Sequence, residues 1–220
     1  MSGLPVTVLV VAKAPVPGRA KTRLGATLGD RVAADIAAAA LLDTLDAVAA
    51  APVAARVVAL TGELDAAVNA AEIRQRLESF TVIAQRGDGF ADRLANAHID
   101  AADGYPVLQI GMDTPQVTAK LLARCACALQ LAPAVLGFAR DGGWWALGVH
   151  APATAECLRS VPMSQPDTGA LTLEALSSNG VDVKLVEELA DVDVVDDILA
   201  VRNACAPTSR FAQATQAAGL

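Results

Sequence analysis

Aromatic residues are scarce: two Trp, one Tyr and four Phe in 220 residues. Histidine is scarcer, with His98 and His150 alone. The four cysteines, Cys125, Cys127, Cys157 and Cys205, contain no C-x-x-C pair. Structural zinc draws about four Cys, His or carboxylate ligands at tight spacing, so this inventory argues against it. Two histidines without a nucleophile elbow do not build a Ser-His-Asp arrangement. The thiols read as buried and reduced, which suits a cytoplasmic protein. Cys125 and Cys127, two apart, point to different sides of a helix. Basic side chains are in the minority, 17 Lys+Arg against 24 Asp+Glu, for a formal net charge of −7. An acidic surface repels nucleic-acid phosphates and disfavours a nucleic-acid binder. No uninterrupted apolar run reaches the roughly 18 residues of a membrane span. The Ala-rich stretch 32–51 comes closest, and Asp35, Asp43 and Asp46 interrupt it. Residues 4–12 are apolar, but no basic segment precedes them and Lys13-Ala14-Pro15 follows. They do not read as a signal peptide.

What the chain has in quantity is small and aliphatic residues. Hydrophobic residues make up 54%, enough for a sizeable core and too many for a disordered chain. Short β-branched runs alternate with longer helical patterns. Residues 6–11 (VTVLVV) read as a strand buried on both faces, as in the middle of a parallel sheet. Residues 30–50 are rich in helix formers, and Ile36, Leu41, Leu42, Leu45 and Val48 form an apolar face. Further strands are predicted at 56–61, 80–84, 105–110, 133–138, 144–149 and 182–186. Further helices are predicted at 65–77, 88–102, 117–131, 153–159, 169–178 and 194–204. This alternation predicts an α/β protein: a mostly parallel mixed sheet between helical layers. No linker or repeat is visible, so residues 1–206 read as a single nucleotide-binding domain. Residues 207–220 are polar and small and read as a loose tail.

In such sheets ligands bind beyond the carboxyl ends of the strands. Directly after the first strand comes Lys13-Ala14-Pro15-Val16-Pro17-Gly18-Arg19-Ala20-Lys21-Thr22-Arg23. Lys13, Arg19, Lys21 and Arg23 place four cations in eleven residues of an acidic protein, with no acid before Asp30. Concentrated positive charge at a strand end is what a di- or triphosphate requires. Gly18 permits close backbone approach and the prolines stiffen the loop. A Walker A motif needs glycine at positions 15 and 20; the chain has Pro15 and Ala20. No G-x-G-x-x-G follows the strand either. After the fourth strand, Gly111-Met112-Asp113-Thr114-Pro115 offers a strand-end carboxylate. Mg²⁺ characteristically takes one or two protein carboxylates and leaves its other positions to water and phosphate. An Asx-turn or a helix cap is the alternative use of Asp113. Asp191-Val192-Asp193 can supply a second metal carboxylate or cap the last helix. Asp141-Gly142-Gly143-Trp144-Trp145 joins a flexible turn to two indoles. Strand alternation lets at most one of those indoles line a ligand site. Arg86, in Arg86-Gly87-Asp88-Gly89, lies at another strand-to-helix junction, within reach of a phosphate or base; Asp88 can equally cap the helix.

Taken together these segments resemble a known family. Residues 13–24 look like the K-A-P-x-P-G-x-x-K-T-R-L signature of bacterial glycosyltransferase-like proteins of the radical-SAM/selenodomain-associated transferase 1 type, a former domain of unknown function. Gly111–Pro115 in number matches its G-S-D-x-P, residues 141–145 its D-G-G-Y-Y, and residues 191–199 its D-x-D-T-P-E-D-L. The resemblance covers about residues 6–200. It implies a GT-A, or nucleotide-diphospho-sugar transferase, fold and is similar to guanylyltransferases acting on 2-phospholactate or phosphoenolpyruvate. It implies Arg19, Lys21 and Arg23 for nucleotide phosphates, beside which the basic segment itself offers Lys13 and Gly18, and it implies Asp113 and Asp193 for Mg²⁺ or Mn²⁺. Gly142, Gly143, Trp144 and Trp145 fall on the sugar or acceptor side, with Asp141 as the candidate base. Met112 stands in place of Ser, Trp144-Trp145 of two tyrosines, and Val194-Val195 of Thr-Pro. The expected activity is metal-dependent transfer from a nucleotide-sugar to a small-molecule acceptor. The alternatives are nucleotidyl transfer from a nucleoside triphosphate to a phosphorylated small acid, and nucleotide binding without catalysis.

Overall fold

A computed structural model describes residues 3–220. The first strand, β1 (Leu4–Lys13), is lined on both faces by buried residues, Val6, Val8 and Val10 on one and Thr7 and Leu9 on the other. It is flanked on both sides by parallel neighbours, β2 (Val53–Thr61) and β4 (Val107–Gly111). With β3 (Thr81–Ala84), β5 (Ala134–Phe138), β6 (Trp144–Val149) and β7 (Val183–Leu185) the sheet has seven strands, ordered β3-β2-β1-β4-β6-β5-β7. Only β6 runs against its neighbours, because a short turn joins it to β5. The others pair in parallel. The strand order reverses at β1: β2 and β3 extend to one side, and β4 is reached on the other. The carboxyl ends of β1 and β4 therefore mark the switch point of the sheet, the place where such sheets bind ligands.

Helices cover both faces. On one, α2 (Asp30–Ala50), α3 (Ala70–Leu77) and α5 (Ala119–Leu129) pack on Val6, Val8, Val10, Leu108 and Ile110. On the other lie α4 (Phe90–Asp100), α6 (Thr168–Ser178) and a 3₁₀ segment, Pro152–Ser160. The structure is thus the α/β sandwich expected, with a mostly parallel mixed sheet. α2 is buried far beyond one stripe: Ala33, Ile36 and Ala40 face away from the sheet, under α1 (Thr22–Leu28), α7 (Val195–Ala204) and α8 (Arg210–Ala217). Its small alanines let elements close in on both sides.

Five local expectations need correction. The basic segment is not loop throughout, since α1 begins at Thr22. The helix predicted over 65–77 is interrupted, because Asn69 adopts a left-handed backbone (φ 54°) that separates a 3₁₀ turn from α3. Residues 153–159 wind as 3₁₀, not α. Residues 207–220 are not a loose tail. They contain α8, whose Phe211 and Thr215 are fully buried and whose Arg210 pairs with Asp43, Asp46 and Glu72. Cys125 is buried and Cys127 exposed, on different sides of α5, so not every thiol is buried.

Candidate active site

The site grows from the adjacent ends of β1 and β4, where Val11 and Gly111 are in register. After β1 the chain is tied to β2 by Ala14 N–H donating to the Thr61 carbonyl (2.8 Å). Pro15 and Pro17 then carry it over the sheet end. Lys13 and Arg19 are exposed, and among the described residues neither side chain forms an ion pair or hydrogen bond. Gly18 has φ 72°, a conformation side chains avoid, and a Cβ there would lie 3.0 Å from the Asp30 carboxylate. Lys21 behaves differently. Its backbone is left-handed (φ 50°, ψ 50°) at the start of α1, and its side chain turns inward to 13% exposure. Nζ donates to Asp113 Oδ2 at 2.8 Å and lies 3.7 Å from Asp193 Oδ1. Arg23 pairs with Asp193 from the surface.

Asp113 is presented by a tight turn at the end of β4. A Cβ on Gly111 would sit 2.6 Å from Asp113 Oδ1, so a side chain there would push the carboxylate out of this position. Met112 Sδ accepts the Lys13 N–H (3.1 Å), a weak bond joining the two strand ends. The third wall, residues 189–193, hangs on the same turn. Val192 N–H donates to the Asp113 carbonyl (3.2 Å), Gln116 Nε2 to the Ala190 carbonyl, and Arg140 N–H to the Leu189 carbonyl (3.0 Å). The helix-cap alternative for Asp191 and Asp193 is taken up elsewhere: Asp197 accepts the N–H groups of Asp193 and Val194 (2.9 and 2.8 Å). That leaves the Asp193 carboxylate to Lys21 and Arg23.

Negative charge is concentrated here. Burial, then the charges of Asp113 and Asp141, push the Asp191 carboxyl up to about 7. Burial works against the Lys21 charge, but Asp113, Asp193 and Asp191 outweigh it and hold the ammonium above its ordinary value. Among the described residues no three Cys, His, Asp or Glu side chains form a ready-made cage. Asp113 and Asp193 nonetheless converge on one cation, the Lys21 ammonium, and both are hard oxygen donors about one-third exposed. That donor set fits Mg²⁺ or Mn²⁺, which complete their coordination with water and phosphate.

The remaining candidates divide. Asp141, exposed at the β5–β6 turn, accepts the Gly143 N–H (2.7 Å) and is close enough to raise Asp191. Gly142 (φ 93°) is fixed by packing: a Cβ would fall 1.8 Å from the Pro166 carbonyl, and the Gly142 carbonyl accepts the Gly169 N–H (2.8 Å). Trp144 is half-buried. Trp145, expected on the acceptor side, is a core residue with its indole N–H donated to the Glu187 carbonyl (2.7 Å). Arg86 is engaged by Asp100 at the end of α4, which takes its guanidinium through two bonds of 2.7 Å. Asp92, not Asp88, accepts the N–H of Gly89 before α4. Gln116 went unnoticed in the sequence; a lone Gln after a Pro-containing turn carries no signal that it clamps a segment 74 positions away.

A family model described as an uncharacterized protein conserved in bacteria, DUF2064, matches residues 44–165. The chain belongs to this family. The match includes Asp113 and residues 141–145; the basic segment and Asp193 lie outside it. No protein of curated function matches the sequence. Among solved structures, this DUF2064 protein is similar to one from Desulfovibrio desulfuricans G20, provisionally named a nucleotide-diphospho-sugar transferase. The two share 23% identity over 99% of this chain and 95% of that one, with a TM-score of 0.83. It is similar also to a nucleotidyl transferase from Methanothermobacter (20% identity, 96% and 99% covered, TM-score 0.59). A third likeness is Rv0371c from Mycobacterium tuberculosis H37Rv, solved with manganese (18% identity, 90% and 97% covered, TM-score 0.56). At these identities the likeness establishes the fold: that of nucleotide-diphospho-sugar transferases.

Proposed function

We propose that this DUF2064 protein is a metal-dependent transferase that uses an activated nucleotide donor, first of all a nucleotide-sugar. The observation that carries the reading is the meeting of Lys21 with Asp113 and Asp193 at the switch point of the sheet. Residues 92 positions apart converge there, so one cleft offers both anion-binding and cation-binding groups. Lys13 and Arg19, exposed and unpaired among the described residues, are free to grip donor phosphates. Asp113 and Asp193 would hold Mg²⁺ or Mn²⁺, which when bound neutralises charge on the departing phosphates. Lys21 and Arg23 would stabilise the same developing charge. Asp141, exposed at the turn beside this cluster, would take the proton of an attacking hydroxyl. The likeness to a protein provisionally named a nucleotide-diphospho-sugar transferase supports this choice.

A second reading is nucleotidyl transfer with pyrophosphate release. Four cations in the basic segment are enough for a triphosphate, and a nucleotidyl transferase and a CTP-bound CMP-ketodeoxyoctonate synthetase are among the similar structures. Calorimetry with Mn²⁺ across nucleotides and nucleotide-sugars tests the site: Asp113→Ala should reduce affinity at least about tenfold, roughly 1.4 kcal/mol. Unchanged affinity would remove the proposal. Pyrophosphate release from GTP and phosphoenolpyruvate, with no turnover of any nucleotide-sugar, would select the second reading.

A further inference from the structure

The unusual member of the basic segment is the one that faces inward. Lys13, Arg19 and Arg23 are exposed, whereas Lys21 has 13% of its side chain accessible. Three non-glycine residues among those described have positive φ, and Lys21 is the one at this site. A left-handed backbone is unfavourable for a non-glycine residue, and here it turns the lysine inward as α1 begins. Nζ then sits 2.8 Å from Asp113 Oδ2 and 3.7 Å from Asp193 Oδ1. These are the two carboxylates that suit a divalent ion. An ammonium and a divalent cation cannot share them, because like charges a few ångströms apart in a partly buried site repel strongly. Arg23 is no equivalent: among the described residues it pairs with Asp193 alone, and it is mostly exposed.

We propose that Lys21 is an internal counter-ion that exchanges with the metal. It neutralises Asp113 and Asp193 while no metal is present and moves to the donor phosphates when metal and nucleotide enter together. This rests on the reading that the cleft takes a divalent ion and a nucleotide, and adds to it the order of events. Metal alone must displace this cation without bringing an anion to receive it, so it binds weakly. Phosphates give that cation a new partner, so metal and nucleotide bind with positive cooperativity, a reciprocal effect.

The test is Mn²⁺ binding, read from the paramagnetic resonance of the free ion, with and without inorganic pyrophosphate. It compares the natural chain with Lys21→Met, Lys21→Arg and Asp113→Asn. Without pyrophosphate, Lys21→Met should bind Mn²⁺ roughly tenfold or more tightly than the natural chain, within the usual range of coupling between sites. Lys21→Arg, which keeps the charge, should bind as weakly as the natural chain. If Lys21→Met gains nothing, while pyrophosphate still drives Mn²⁺ onto the natural chain and Asp113→Asn abolishes this, the exchange is wrong and the site stands. If no combination puts Mn²⁺ on the protein, the site itself is wrong and the exchange falls with it. Should Lys21→Met fail to fold, the natural chain decides: it has four lysines, and the ¹⁵N resonance of Lys21 Nζ must shift when Mg²⁺ and pyrophosphate are added. An unmoved resonance overturns the exchange.

Discussion

Trp144 and Trp145 are neighbours in sequence with opposite surroundings. Trp145 is buried against the α2 and α5 side of the sheet and hydrogen-bonded to the Glu187 carbonyl. Trp144, on the α4 and α6 side, is half-buried. Trp145→Ala should therefore destabilise the fold by about 3–5 kcal/mol, the usual cost of emptying a large aromatic site, as measured by urea unfolding. Trp144→Ala should cost clearly less, because part of its ring already meets water. Equal losses would contradict this placement. Strand alternation already required one indole to point inward. Which one did so depended on the register of β6 against β4, where Ile110 opposes Ala146, and no single-strand pattern carries that information.

At the scale of elements, α8 shows how a short helix is held by distant partners. Eight residues make a marginal helix in isolation. Asp43 on α2 accepts the N–H groups of Arg210 and Phe211 (3.1 and 2.8 Å), and Ser209 accepts that of Ala212 (3.1 Å). Phe211 fills the space between α1, α2 and α7. Phe211→Ala should cost about 3–5 kcal/mol. Deleting residues 207–220 should lower the thermal midpoint and expose Ile36 and Ala40, detectable as dye binding; an unchanged midpoint would make α8 dispensable. The segment reads as a tail because its own residues are polar and small. Its stability comes from a carboxylate 167 positions earlier. The long α2, by contrast, was legible to the residue, since Gly29 and Pro52 bracket an unbroken run of helix formers.

For the molecule as a whole, a buried histidine should govern part of the acid response. His98 on α4 is fully buried, neither ring nitrogen has a hydrogen-bond partner among the described residues, and burial lowers its pKa to about 3. The folded chain keeps it neutral. The unfolded chain protonates it below the ordinary value near 6.5. Between those two values the unfolded state binds the extra proton, so stability is full above about pH 6.5 and falls as pH drops toward 3. The slope from one such proton is at most about 1.4 kcal/mol per pH unit. His98→Gln should flatten the acid limb by up to that amount, seen in urea unfolding across pH 4–7. A limb of unchanged slope would mean that His98 does not titrate as its burial requires.

The sequence by itself determined the alternation of strands and helices, the central buried β1, the cationic stretch after it and the carboxylate after β4. Each is a local pattern: β-branched runs, helix formers, charge at a strand end. Only the tertiary structure decided which of these meet. Parallel pairing of β1 with β4 brought Lys21 to Asp113. The Val192 backbone bond to Asp113 and the Gln116 side-chain bond to Ala190 brought Asp193 to the same ammonium. It also sent Arg86 to Asp100 and Trp145 into the core. Charge and hydropathy are properties of single residues and can be read along a chain. A shared cleft is a property of strand order and register, which exist only once the sheet has formed.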